Sequence, residues 1–311
     1  MTQASTPACR LCDAGGDGQS VCAPHVFGGS RAHKFWECAS CGAIYLFPFL
    51  SPDEERRFYA EEFEKFMAVR SGTERDWSDA ERHVATNQDQ LKRRWRFLEP
   101  RVTAGKSVLE IGCSSGFMLD AFRAAGMECV GVEPSNVFID FLRNKGFEVF
   151  PTMDDLEASG PRRQFDLITH FFVLEHMADP YAFFRRQMVL LKPGGVIVAE
   201  VPSATDPLTS LYSIPAFEKF YWSIAHHYYY TPRALSAVLD KLGLRYRLLP
   251  EQRYDLSNHM VWMTEGKPGG QGRYNSVFTP ALIEKYNEDL KAAWKCDTIM
   301  LEIFRDSAEV V

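Results

Sequence analysis

Residues 108–119 read VLEIGCSSGFML: an apolar run that ends beside an acid, a glycine-bearing turn, and the apolar start of a helix. That order is the layout of a parallel strand whose carboxyl edge meets a helix N-terminus, the place where nucleotide ligands bind in open α/β sheets. It also narrows the class of nucleotide. Gly112 and Gly116 are separated by Cys113, Ser114 and Ser115, so the GxGxxG of a dinucleotide site is absent, and no GxxxxGK[ST] phosphate loop occurs.

From residue 107 onward short apolar runs alternate with longer helical patterns. Candidate strands lie at 107–111, 129–132, 148–150, 165–169 and 196–200, with helices near 117–125, 136–145, 181–190 and 232–241. This is the βαβ signature of a parallel, doubly wound sheet. Lys-Pro-Gly-Gly at 192–195 reads as a tight turn feeding a strand. After Glu200 the pattern breaks: residues 202–230 are proline-punctuated and aromatic, too irregular for a crossover helix and too apolar for disorder. They read as a substrate-covering insertion. The tail carries candidate strands at 244–248 and 260–264, a loop at 266–272, a helix from 280 to about 294 and a strand at 298–304.

The first 50 residues follow different rules. Cys9–Cys12 and Cys38–Cys41 are each a CxxC, and the stretch between them is glycine-rich and too poor to build a core unaided. Two such turns offer four thiolates to one tetrahedral ion, so a closed structural Zn²⁺ site on Cys9, Cys12, Cys38 and Cys41 is expected. Cys22 and His25 remain alternates for one position. A four-thiolate zinc has no open coordination position, so its expected task is to hold the following helical segment over the active site. In that segment Leu91, Trp95 and Leu98 share one helix face. Arg93, Arg94 and Arg96 invite an RNA-binding reading, but their acidic surroundings favour a solvated face. The formal charge of -6 gives no general reason to expect a polyanionic partner. Without a leader-like or membrane-spanning stretch, a soluble cytoplasmic protein with reduced cysteines is expected, acting on a small molecule and not on nucleic acid or membrane. Periodicity leaves monomer and homodimer both open.

The two leading strands carry acids at their carboxyl ends. Glu133 follows the glycine turn at the distance expected of a carboxylate that accepts from both ribose hydroxyls, and Pro134 behind it is placed to lie against the base. Glu110 suits orientation of the turn or a cationic ligand group. An adenosine cofactor with a positive centre and no pyrophosphate meets these demands. S-adenosylmethionine is such a cofactor, with the carboxylates and the amides of Gly112, Cys113, Ser114 and Gly116 holding its ribose and amino-acid portions. Cys113 is not expected to act as a nucleophile, because the methyl group can move directly to its acceptor.

Across roughly residues 100–265 the chain resembles the class I S-adenosylmethionine-dependent methyltransferases. VLEIGCSSG is similar to their first motif and GVEPS to their second, while FDLITHFFVLEHMADP and LLKPGGVIVAEVP resemble the segments around their fourth and fifth strands. The resemblance implies a seven-stranded, mostly parallel methyltransferase sheet with a small N-terminal zinc-binding domain and helical lid. It divides the chain into a zinc-binding unit (1–50), a helical linker and lid (51–99), a methyltransferase domain (100–265) with the 202–230 insertion, and a C-terminal extension (266–311). It also implies an adenine contact at Asp154, with Met153 or Asp155 as alternates in the same loop, and a cofactor wall formed by His170 and Phe171.

A narrower resemblance carries FWECASCGAIYLFPFLSPDEERRFYAEEF and HHYYYTPRALSAVLDKLGL. Both are similar to segments of the subgroup with an N-terminal zinc-binding region, which includes sugar C-methyltransferases and small-molecule O-methyltransferases. The subgroup pattern EHxxYFTPxxLxxLLxxxGF places its histidine at His226, whereas its preceding acid is Ala225 here. The expected reaction is therefore methyl transfer to a hydroxyl of a sugar or natural-product intermediate, with His226 as general base. C-methylation of a nucleotide-linked keto-deoxysugar is the alternative, weakened by Ala225, and an RNA-modifying protein is a third. Tyr229 or Tyr230 is expected to order His226 or bind substrate. His227 should face the other way in an extended segment. His176 and Glu200, at the ends of the fourth and fifth strands, complete the candidate catalytic set.

Overall fold

The expected alternation of strand and helix is present in the computed structural model, which describes residues 6–58, 66, 70, 79–160 and 163–306. Three short strands open the chain: β1 (Gln19–Ala23), β2 (Lys34–Cys38) and β3 (Ile44–Phe47). The main sheet is built from β4 (Ser107–Ile111), β5 (Glu128–Val132), β6 (Glu148–Phe150), β7 (Phe165–Phe171) and β8 (Leu191–Pro202). After the two-residue β9 (Tyr228–Tyr229), β10 (Arg245–Glu251) and β11 (Thr298–Phe304) complete it. Its order is β10-β11-β8-β7-β4-β5-β6, parallel from β6 across to β8 and antiparallel at β11. The seven-stranded, mostly parallel sheet is thus present.

Helices cover both faces. The segment before the sheet supplies α1 (Pro52–Arg57), α2 (Ala80–Thr86) and α3 (Gln88–Leu98); its residues 59–65, 67–69 and 71–78 lie outside the described residues. The crossovers are α4 (Phe117–Ala124), α5 (Asn136–Asn144), α6 (Met153–Ala158) and α7 (Pro180–Leu190). The insertion holds α8 (Pro207–Ser210) and α9 (Pro215–Tyr221), and α10 (Pro232–Lys241), α11 (Leu256–Glu265) and α12 (Pro280–Ala292) follow. No helix among the described residues is long and apolar enough to cross a membrane.

β4 lies between β5 and β7. The chain runs outward from β4 through β5 to β6, then returns to add β7 and β8 on the other side. The connections on the two sides diverge, and the crevice they leave stands over the carboxyl end of β4. The turn that follows β4 obeys tight steric limits. Gly112 has φ +71, and a Cβ there would stand 2.6 Å from Val173 Cγ2. Gly116 has φ +73, and a Cβ there would collide with Leu142. Both positions require glycine for conformation and for clearance.

The N-terminal unit is not an independent module. β3 pairs antiparallel with β9, Ile44 opposite Tyr229 and Tyr45 opposite Tyr228, making a four-stranded sheet β1-β2-β3-β9. The Leu46 amide donates to the His227 carbonyl at 3.0 Å. Beyond the sheet, Thr231 Oγ1 donates to the Gly42 carbonyl (3.0 Å), Arg10 Nη2 to that of Ala178 (3.0 Å) and Tyr181 Oη to that of Leu11 (2.5 Å). The insertion therefore supplies a strand to the cysteine unit, and the first 50 residues position residues 226–230 as well as the helices that follow them.

Three local readings change. Residues 260–264 belong to α11, not to a strand: Asp255 caps it by accepting from the Asn258 amide at 2.9 Å, and Gly266 closes it at φ +63. β10 takes the sheet edge instead. Lys192–Gly195 joins β8, because Gly194 N–H donates to the Arg305 carbonyl (2.9 Å) and Arg305 N–H to that of Gly195 (3.1 Å). On α3, Leu91, Trp95 and Leu98 do pack into the core, and Arg96 stays exposed, but Arg93 and Arg94 are not part of a solvated face. Arg93 Nη2 and Arg94 Nε meet the fully buried Glu200 at 2.7 and 2.9 Å, and Arg96 Nη2 reaches Glu251 at 2.8 Å.

This ion cluster pins α3 to the end of β8. Although burial opposes ionisation, the two guanidiniums hold the Glu200 carboxyl down at about 2. Its contribution to stability is thus in place above the ordinary carboxyl range and lost as pH falls through about 2. Arg94→Met removes one partner from a buried carboxylate, and urea denaturation at neutral pH is expected to show a loss of about 3–5 kcal/mol.

Candidate active site

The turn after β4 is held by a carboxylate from the neighbouring strand. Glu133 Oε2 accepts from the Ser114 amide at 2.7 Å and Oε1 from the Ser135 amide at 2.9 Å. Each oxygen retains a second lone pair. Burial raises the Glu133 carboxyl, and these two amides oppose the rise. Glu110 is also buried, and its Oε2 has no hydrogen-bond partner among the described residues. Burial pushes its carboxyl up to about 8, the nearby Arg94 pulling it down and Glu133 adding to the rise. An unpartnered buried acid beside a glycine turn is suited to a cationic ligand group.

The remaining expected cofactor residues divide. Ser114 offers its turn backbone at φ 50. The Cys113 side chain turns away into a small apolar cluster with Leu119, Ile139 and Leu142, so only its backbone is left for a ligand. Pro134 is exposed at the end of β5. Phe171 closes β7, with the Arg94 guanidinium 4.3 Å from its ring centroid. His170 points to the other face, packed edge-on to Phe183 at 5.2 Å, and burial holds its imidazole down at about 3. It is therefore a neutral core residue and not part of a cofactor wall.

Asp154 also departs from expectation. Its carboxylate is paired with Arg186 at 2.5 Å on the outer surface, and Asp155 caps back onto Thr152. Met153 is the buried member of this loop and packs with Val132 and Ile111.

His83 on α2 is an element that sequence reading missed. Its Nδ1 lies 2.8 Å from Ser115 Oγ, and its ring lies 5.5 Å from that of Phe138. No local signal marks it, since its partner is 32 residues away in sequence.

Opposite the turn, β7 leads into a single helical turn, Leu174–His176. Val173 packs on Gly112, which brings this turn beside the first motif. The His227 amide donates to the Glu175 carbonyl (2.8 Å), and His176 Nδ1 bonds the Ala225 carbonyl (2.7 Å). These bonds set His226 against His176 at a ring separation of 4.8 Å, with Tyr229 on its other side at 4.9 Å. Side-chain ligand atoms of Glu175, His176 and His226 all lie within 4.8 Å of one another.

Burial holds the His226 imidazole well below its usual range, reinforced by His176, Arg70 and His227. It holds His176 down at about 4 and lifts Glu175 to about 8. His226 is consequently neutral near pH 7, and its Nδ1 has no hydrogen-bond partner among the described residues. His227 points the other way, as extended backbone dictates, between Arg10 (3.5 Å) and Glu55 (3.4 Å). The Tyr229 hydroxyl is committed to the backbone of Tyr221 and Ser223, so this residue orders the histidine through its ring. Glu200 is occupied by Arg93 and Arg94, which accounts for its burial without a substrate.

The four N-terminal thiols converge. Sγ atoms of Cys9 and Cys41, and of Cys12 and Cys38, are 3.6 Å apart, and all four lie within 4.8 Å. A tetrahedral ion at a metal–sulfur distance of about 2.3 Å needs sulfur–sulfur edges of about 3.8 Å. Gln19 Nε2 approaches Cys38 Sγ at 3.5 Å, and Tyr45 Oη donates to Gln19 Oε1 at 3.0 Å, a second layer that orients the thiols. Cys22 packs against a separate apolar cluster and His25 is exposed, so neither joins this group.

The profile of a family described as a methyltransferase domain matches residues 81–249. A ubiquinone biosynthesis O-methyltransferase of Bradyrhizobium sp. (strain ORS 278) is 33% identical over 99 residues, 30% of this chain and 39% of that protein. One from Coxiella burnetii (strain Dugway 5J108-111) is 32% identical over 108 residues, 33% of this chain and 46% of its own. The chain thus spans less than half the length of these curated relatives. A solved S-adenosylmethionine-dependent methyltransferase from Archaeoglobus fulgidus is 22% identical, with a TM-score of 0.48 over 70% of this chain and 93% of that one.

Proposed function

The chain belongs to the class I S-adenosylmethionine-dependent methyltransferases, and from that premise we propose that it methylates a hydroxyl group of a small molecule, a sugar or natural-product intermediate, with His226 as general base. The observation that carries this reading is the buried, neutral His226, its Nδ1 unpartnered, held beside the turn that follows β7. The name of these two curated relatives, ubiquinone biosynthesis O-methyltransferase, supports the hydroxyl assignment over the segment they share.

S-adenosylmethionine supplies a methyl group already activated on a sulfonium. The residues fit it. Glu110 offers an unpartnered carboxyl to a cationic group and Glu133 keeps a lone pair on each oxygen for ribose hydroxyls, while Met153, the alternate to the outward-turned Asp154, is the proposed adenine contact. The protein then has two tasks: to hold the acceptor in line and to take its proton. His226 is placed for the second, while the aromatic insertion covers the first. Zn²⁺ is the ion proposed for Cys9, Cys12, Cys38 and Cys41, with a structural part only, because four thiolates close its coordination shell. The arginines of α3 are engaged by Glu200 and Glu251, which removes the basic face that an RNA-binding reading needs.

With a panel of hydroxylated acceptors, S-adenosylhomocysteine release should fall about 10²–10⁴-fold in His226→Ala while cofactor affinity holds within about twofold. Equal turnover in the variant removes His226 as base. Cofactor affinity should also report Glu110. Since a positive ligand favours the carboxylate and the carboxyl stands at about 8, binding near neutral pH expels a proton. Affinity should therefore rise by up to about tenfold per unit as pH climbs from about 6 towards 8. Calorimetry in buffers of differing ionisation enthalpy should show the proton release, and Glu110→Gln should abolish it. For the metal, elemental analysis should find one zinc per chain, and Cys38→Ser/Cys41→Ser should lose both the zinc and several degrees of Tm.

A further inference from the structure

The acid that precedes the histidine in the subgroup pattern is Ala225 here, so the local chain gives His226 no carboxylate. The fold brings one from elsewhere. Glu175 stands 51 residues earlier in the chain, on the turn after β7, yet its carboxylate lies within 4.8 Å of the His226 and His176 nitrogens. Two backbone-directed bonds fix this approach, His227 N–H to the Glu175 carbonyl and His176 Nδ1 to the Ala225 carbonyl. Glu175 is 1% exposed, and its Oε2, like His226 Nδ1, has no hydrogen-bond partner among the described residues. A buried carboxylate oxygen left without a hydrogen bond is costly unless the site uses it.

We propose that Glu175 is the positioning acid of the base, the carboxylate that offsets the charge of His226 when it takes the acceptor's proton. This rests on the reading of His226 as general base. In the step, the acceptor O–H bond breaks and its proton bonds to a His226 nitrogen. The electron pair left on oxygen forms the bond to the methyl carbon, and the carbon–sulfur bond breaks with its pair staying on sulfur. The imidazolium and the Glu175 carboxylate then form a neutral pair until the proton passes to solvent. Separations of up to 4.8 Å also leave room for one hydroxyl oxygen to bridge acid and base, since two hydrogen bonds of about 2.7 Å span that distance.

The surroundings make the pair sensitive to pH. The Glu175 carboxyl is lowered by its own backbone amide and by Arg253 and Arg70 and raised further by Glu200, with Tyr229 and Tyr230 nearby. His226 faces His176, His227 and Arg70. With burial holding Glu175 at about 8, the carboxylate form grows in as pH rises towards that value, and kcat should rise with it.

The test uses the full-length enzyme and an acceptor it turns over. Glu175→Gln should lower kcat about 10²-fold and flatten the rise towards pH 8, with cofactor affinity and Tm close to those of the parent, and Glu175→Asp should recover part of the rate. A full rate and unchanged pH profile in Glu175→Gln, alongside a collapsed His226→Ala, overturns the role of Glu175 alone. Full turnover in His226→Ala overturns the base and this inference together. Loss of a stoichiometric divalent metal from Glu175→Gln, with activity restored by adding that metal, also overturns it, in favour of a metal centre at the same residues.

Discussion

Backbone pairing between β3 and β9 ties the cysteine unit to the chemistry of the crevice. β3 is the last strand of a unit in which four thiols are brought together at one point. β9 has only two residues, too few to hold a position unaided. Joined, they form one sheet, and the orientation of His226 and His227 follows from its register. A one-residue slip would exchange the two imidazoles between the crevice and the Arg10–Glu55 side. The four-thiol unit thus meets residues 226–230 through backbone pairing.

Buried charge is treated in two ways. Around Glu200 it is paired: two guanidiniums meet one carboxylate, and the result anchors a helix to the sheet. Around the crevice it is left unpaired. Glu110, Glu175 and His226 each keep a polar atom with no hydrogen-bond partner among the described residues, and burial drives all three towards their neutral forms. The ion pairs with Arg93 and Arg94 move Glu200 from the candidate catalytic set to the residues that hold the fold.

The sheet and the cofactor crevice were legible because they depend on local rules. Alternating apolar runs fix β4 to β8, and positive φ with no room for a Cβ fixes Gly112 and Gly116. The paired CxxC spacing likewise pointed to four thiols that the fold does bring together. Misreadings arose where a short run fits two structures. Residues 260–264 are apolar enough for a strand, yet an Asp255 cap and a Gly266 stop make them helix. Asp154 and His170 sit at the expected points in sequence, but one turns outward to Arg186 and the other inward to Phe183.

Sequence by itself determined the class of sheet, the glycine turn with its two acids, and the four-cysteine cluster, because each depends on spacing within a short segment or on a pattern that repeats. Tertiary structure decided which polar residues share a site. Glu175 meets His226, His83 meets Ser115, and Arg94 meets Glu200, across separations of 51, 32 and 106 residues. No local periodicity encodes such pairings. They exist because parallel strands carry distant segments to one edge of the sheet, and because β9 is drawn out of the insertion to pair with β3.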